Sequence, residues 1–83
     1  MKNELTPHIK YYSNKNVCIK GQKNSKGQRE GIWEWLYPSG NIYRRAPYKE
    51  DKIDGIEEWF NEHGNTTRTL VWKDGELIET TKH

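Results

Sequence analysis

The chain has 83 residues, with 14 Lys and Arg against 12 Asp and Glu, a net charge of +2, one Cys and ten aromatic residues. A chain this short forms one domain and buries only about 60% of its unfolded surface, which excludes a deep cleft between two lobes. Leu, Ile, Val and Phe number only 14, a composition that suggests disorder, but disorder also requires high net charge and few aromatics. Four Trp and five Tyr supply apolar area instead, and the sequence reads as folded.

The N-terminal Met1-Lys2-Asn3-Glu4-Leu5 lacks the apolar run of a secretory signal. No apolar stretch approaches the ~20 residues that span a bilayer. The lone Cys18 forms no intrachain disulfide and suits a reducing compartment. The expected location is therefore cytoplasmic. Residues 1–30 carry a balance of +5 and residues 31–83 a balance of −3. The basic part centres on Lys20, Lys23, Lys26 and Arg29. These residues either line a solvated, mobile hairpin loop or form an arm that contacts phosphates or an acidic partner.

From Gly31 onward the chain repeats itself with a shift of 24. Gly31/Gly55, Ile32/Ile56, Glu34/Glu58, Trp35/Trp59, Gly40/Gly64, Asn41/Asn65, Arg44/Arg68 and Lys49/Lys73 are identical. A fainter copy precedes them, with Tyr11, Tyr12 and Lys20 standing 24 residues before Trp35, Leu36 and Arg44. Residues 1–83 thus read as one repeat domain: a degenerate repeat at about 7–30, then 31–54 and 55–78, with 79–83 as a tail.

Each repeat reads as a β-hairpin. Tyr37-Pro38-Ser39-Gly40-Asn41 suits a three-residue loop with Gly at the bulge position. Asn24–Gln28, Tyr48–Lys52 and Trp72–Glu76 are expected to follow the same plan. The expected register then sets Leu36 against Ile42, Trp35 against Tyr43, Glu34 against Arg44 and Trp33 against Arg45, with Phe60 facing Thr66, Trp59 facing Thr67 and Glu58 facing Arg68. An antiparallel meander follows in which even positions share an aliphatic face and odd positions an aromatic one. The even face carries Tyr12, Cys18, Ile32, Leu36, Ile42, Ala46, Ile56, Phe60, Leu70 and Ile78. The odd face carries Tyr11, Ile19, Trp33, Trp35, Tyr43, Arg45 and Trp59. One extra bulge residue would flip every position downstream of it.

The pattern Gly31, Trp33, Leu36, Gly40, Ile42 and its partial return at Gly55, Phe60 and Gly64 resembles the MORN-repeat variant family, including the antitoxin-type repeats of bacteria. That resemblance implies an all-β fold: a single elongated, twisted antiparallel meander of about three MORN-like hairpins with short loops. It implies binding or scaffolding rather than chemistry, and it brings no catalytic residues. Glu57 and Thr66 depart from the pattern where Trp33 and Ile42 stood.

Trp33, Trp35, Tyr43, Arg45 and Trp59 are the candidate partner-binding residues, because aromatic and Arg side chains dominate protein-interface hot spots. The same set also reads as the core of a curled sheet. Cys18, His8, His63 and His83 lack metal-ligand spacing, and Cys18 reads as a buried, inert thiol. No motif calls for a cofactor or supports catalysis. Arg44 and Arg68 read as cross-strand partners of Glu34 and Glu58, or as a basic ladder with Lys20.

The expected function is a non-enzymatic protein-binding module, a small stoichiometric inhibitor, antitoxin or immunity-type factor. Two alternatives stand beside it. One is single-stranded nucleic acid, with bases stacked on the aromatics and phosphates on the basic arm. The other is a homodimer sealed through the aliphatic face.

Overall fold

Short runs of alternating polar and apolar residues, punctuated by turn formers, fold as eight strands. They are β1 (Thr6–Tyr11), β2 (Val17–Lys23), β3 (Arg29–Leu36), β4 (Ile42–Lys49), β5 (Lys52–Ile53), β6 (Gly55–Phe60), β7 (Thr66–Lys73) and β8 (Glu76–Lys82). The computed structural model describes residues 4–83, so the first three residues of the N-terminal segment read above lie outside it. All pairings are antiparallel, in the order β1-β2-β3-β4-β6-β7-β8, with the two-residue β5 pairing β4. The expected all-β hairpin meander is the observed fold, as a single open sheet.

One layer is all there is. The molecule measures 42 × 36 × 14 Å with a radius of gyration of 13.7 Å, against about 12 Å for a compact domain of this length. Among the described residues only Trp33 and Ala46 are buried apolar side chains. They oppose each other across β3 and β4. Trp33 lies flat over Gly21, where an added Cβ would stand 2.1 Å from the indole Cδ2. Its Nε1 donates to the Gln22 carbonyl at 3.1 Å, which satisfies the buried N–H.

The loops are of two kinds. Tyr12–Asn16, Asn24–Gln28, Tyr37–Asn41 and Asn61–Asn65 are three-residue loops, each closed by the same pair of backbone hydrogen bonds. The two loops after β4 and β7 differ from the expected plan. Lys49 pairs Lys52 and Lys73 pairs Glu76, leaving the two-residue turns Glu50-Asp51 and Asp74-Gly75. All four of those residues have positive φ (48°, 70°, 48° and 85°), the mirror-image turn whose twist suits a tight hairpin.

The 24-residue period recurs in the hydrogen bonds. Asp51 N–H donates to the Arg29 carbonyl and Gly75 N–H to the Ile53 carbonyl. The Glu50 and Asp74 N–H groups donate to the Glu30 and Asp54 carboxylates. At the other end, the Tyr12 hydroxyl donates to the Leu36 carbonyl and, with its donor one residue out of period, the Tyr37 hydroxyl donates to the Phe60 carbonyl. Strand β8 runs on through Lys82, so residues 79–82 continue the sheet.

The register departs from expectation by a bulge in each repeat. Leu36 does face Ile42, and Phe60 does face Thr66. Beyond them the pairing slips by one residue: Trp35 faces Arg44, Glu34 faces Arg45 and Trp33 faces Ala46. In the next repeat Trp59 faces Arg68 and Glu58 faces Thr69. The glycine-bearing loops feed a bulge at Tyr43 and at Thr67, so residue parity inverts on β4 and β7. Ala46 and Leu70 therefore join the aromatic face, and Arg45 leaves it. The expected Glu34–Arg44 and Glu58–Arg68 pairs do not form. Instead Arg45 Nε lies 3.0 Å from Glu34 and its Nη1 3.6 Å from Glu58.

Candidate functional site

The aromatic face takes its side chains from adjacent strands, at alternate positions except at the bulge, where Tyr43 and Arg44 both contribute. Trp33 and Trp35 come from β3, Tyr43, Arg44 and Tyr48 from β4, and Trp59 from β6. Their rings form two groups, bridged by the Arg44 guanidinium into one strip. Trp33 and Trp35 lie 6.3 Å apart, Trp35 and Tyr48 6.3 Å, Tyr43 and Trp59 6.2 Å, and Tyr37 and Tyr43 5.2 Å, all between centroids. None of the contacts is a parallel stack. Tilted and edge contacts suit the aromatic quadrupole and add about 0.5–1.5 kcal/mol each beyond the area they bury.

Arg44 stands in the middle of this strip. Its guanidinium sits 4.2 Å from the Trp35 centroid and 5.4 Å from that of Trp59, within the range of cation–π attraction. The Arg44 Nε donates to the Glu57 carboxylate, and Nη2 donates to the Tyr48 hydroxyl at 3.3 Å. Glu57 is itself buried, and its second oxygen accepts the Trp72 indole N–H at 2.8 Å. Burial disfavours the Arg44 charge, but the hydrogen bonds to Glu57 and Tyr48 more than offset it, so the net direction of its pKa is upward. The cation is thus clamped on both sides and held in one orientation.

Of the five candidate contact residues, four share this face. Trp33 is its buried floor at 3% exposure, and Trp35, Tyr43 and Trp59 are half-buried. Arg45 is on the opposite face, with its guanidinium 5.6 Å from the Phe60 centroid. The sequence reading placed Arg45 on the aromatic face, and the bulge at Tyr43 puts Arg44 there instead. It missed Glu57, whose place in the repeat belongs to Trp33. The available signal was Trp72, an indole standing where the preceding repeat has Tyr48 and bringing a donor in need of an acceptor.

The basic arm is divided between the faces and tied down. Lys20 lies on the face opposite the aromatics, 3.4 Å from Glu34, so it forms no ladder with Arg44 and Arg68. Arg29 Nε lies 2.9 Å from Asp51, and its guanidinium lies 4.3 Å over Tyr48. Bonds from the Arg29 backbone N–H and side chain hold the Asp51 pKa below the usual carboxylate value. The loop carrying Lys26 closes around buried Asn24, whose Oδ1 accepts from the Lys26 and Gln28 N–H groups. Lys23 pairs Arg29 at the strand ends.

His8 packs 5.5 Å from Trp33, and desolvation, aided by Lys23 and Lys10, lowers its pKa. Cys18 is half-buried beside Tyr12, whose pKa rises through desolvation and its contact with that thiol. Among the described residues no three His, Cys, Asp or Glu side chains converge to hold a metal ion. No helix among them is long and apolar enough to cross a membrane.

The chain is thus an open, single-layer sheet of repeated hairpins with aromatic side chains across one face. Residues 29–50, which span β3, its loop and β4, match the model of the MORN repeat variant. MORN repeats generally mediate protein or membrane binding and are not generally enzymatic. No curated protein and no solved structure matches the chain.

Proposed function

We propose that the chain is a non-enzymatic protein-binding module that presents Trp35, Tyr43, Arg44 and Trp59 to a partner protein, with Trp33 as the supporting floor. Its action is stoichiometric: a rigid sheet of this size occludes a partner's surface, as a small inhibitor, antitoxin or immunity-type factor would. The observation that carries the reading is the clamped Arg44, fixed between two Trp rings by buried Glu57. Side chains already immobilised lose little entropy on docking, and rigid aromatics with Arg are the residue types that anchor interfaces. A protein partner is favoured over nucleic acid because Arg44, Arg29 and Lys20 all have carboxylate partners within the chain.

The test is affinity capture from native lysate with and without nuclease, using the wild-type chain and a Tyr43→Ala/Trp59→Ala variant whose fold is checked by circular dichroism. A stoichiometric protein that survives nuclease and is lost with the folded variant supports the reading. Recovery of nucleic acid alone, or undiminished capture by the variant, overturns it.

A further inference from the structure

The opposite face of the sheet has no role in that reading, and it carries a regular pattern of charge. A single row of side chains crosses four neighbouring strands: Lys20 on β2, Glu34 on β3, Arg45 on β4 and Glu58 on β6. Successive members are ion-paired at 3.4, 3.0 and 3.6 Å. The signs run plus, minus, plus, minus. Apolar residues flank the row on both sides. Ile32 and Ile56 lie toward one end of the strands and are each 56% exposed, while Leu36, Ile42 and Phe60 lie toward the other.

A row of alternating sign with an even number of members is complementary to its own reversal. We propose that two copies of the chain associate face to face through this surface, about a two-fold axis parallel to the strands between β3 and β4. That axis reverses the row, so Glu34 faces the second copy's Arg45 and Lys20 faces its Glu58, and the reciprocal contacts follow by symmetry. It leaves positions along the strands unchanged, so each apolar flank meets the same flank of the second copy. A two-fold axis perpendicular to the strands would instead set like charges opposite each other. Like-charge juxtaposition is strongly unfavourable, so the pattern selects one arrangement. The sheet's 42 × 36 Å outline leaves room for the ~800 Å² per partner that a standard interface buries. Isoleucines exposed on a one-layer sheet supply the apolar area such an interface needs. The dimer leaves both aromatic strips facing outward.

Sedimentation at high micromolar concentration tests this with Glu34→Arg and Arg45→Glu chains, alone and mixed. The wild type is expected to be a dimer. Each reversal sets like charges opposite each other twice per dimer and is expected to weaken it by about a hundredfold. Mixing the two variants restores every opposition, so the mixture is expected to give dimers with one chain of each kind, identified by native mass spectrometry. Misfolding could not produce that rescue. Should both reversals unfold, Ile32→Lys touches none of the ion pairs and is expected to yield a folded monomer. A monomeric wild type, which leaves the face to solvent or a foreign partner, overturns the proposal. So does a dimer that survives the reversals or Ile32→Lys, or a mixture of folded variants that stays monomeric.

Discussion

Glu57 occupies in its repeat the place that Trp33 holds 24 residues earlier, and each is 3% exposed. The two solve the same problem differently. Trp33 fills its position with a ring laid on Gly21 and directs its one donor to a backbone carbonyl. Glu57 places a carboxylate there and surrounds it with the Trp72 N–H and the Arg44 guanidinium. The first makes the sheet's small apolar core, and the second fixes the cation at the centre of the aromatic strip.

Removing that carboxylate leaves Arg44 without its ion partner and the Trp72 indole without an acceptor. Glu57→Ala is therefore expected to destabilise the chain by about 3 kcal/mol, the lower part of the range for breaking a buried pair, since Arg44 keeps some solvent access. Glu57→Gln retains an acceptor for Trp72 and should cost less. Urea unfolding followed by Trp fluorescence measures both. Equal costs for the two variants would mean that the whole effect comes from the lost charge and that the acceptor and volume kept by Gln contribute nothing.

Gly21 is fixed by its neighbour rather than by its own backbone. A methyl group there would stand 2.1 Å from the Trp33 ring, so the indole must move and open the contact with Ala46. Gly21→Ala is expected to cost about 1–3 kcal/mol, as for other overpacked sites. On a Trp33→Leu background the collision is gone and the cost should shrink to near zero. Additive costs in that double-mutant cycle would show that Gly21 is needed for a reason other than Trp33.

The meander and its hairpins were legible because they rest on local signals: the 24-residue repeat, the alternation and the Gly-bearing turns. The aromatic face was legible in its Trp and Tyr members. What could not be read was the bulge that follows the loops Tyr37–Asn41 and Asn61–Asn65. Leu36 against Ile42 is right in either register, so nothing in the sequence marks the slip that follows at Tyr43. That single residue turned Arg45 away from the strip and brought in Arg44, and it changed the charge partner of Glu34. Glu57 was hidden for a different reason. Aligned with Trp33 it reads as a lost aromatic, and only the strand pairing that brings Trp72 and Arg44 to it reveals a charged centre. Asp74-Gly75 carried its own signal for a two-residue turn, and Glu50-Asp51 follows by the same period.

Lys15 holds the loop position that Gly40 and Gly64 hold in the later repeats, at φ 74°. Its N–H donates to the Tyr12 carbonyl just as that of Gly40 does to Tyr37. A side chain in this region costs about 1–2 kcal/mol, and glycine gives back part of that gain through its freer unfolded state. Lys15→Gly is expected to stabilise the chain by about 0.5–1 kcal/mol, read as an upward shift in melting temperature. A lower melting temperature would show that the lysine side chain itself supports the β1–β2 hairpin.

Asp51 links the β4 turn to the start of β3, accepting from the Arg29 N–H at 3.0 Å and from its guanidinium. These bonds are made by the carboxylate, and they hold its folded-state pKa below the ordinary 3.8. A carboxyl whose pKa is depressed on folding contributes stability that is fully present above its unfolded pKa. That contribution is lost as the pH falls through the lower, folded value, because the unfolded chain takes up the proton first. Asp51→Asn removes the charge while keeping a residue type that tolerates positive φ, so the turn itself is preserved. The variant is expected to be less stable than wild type at neutral pH and to lose less on acidification, so that the two melting curves converge toward pH ~2. Melting temperatures taken across that range check the sign. Parallel curves would mean that the Asp51–Arg29 link carries no net electrostatic stabilisation and that the turn is held by its backbone hydrogen bonds alone.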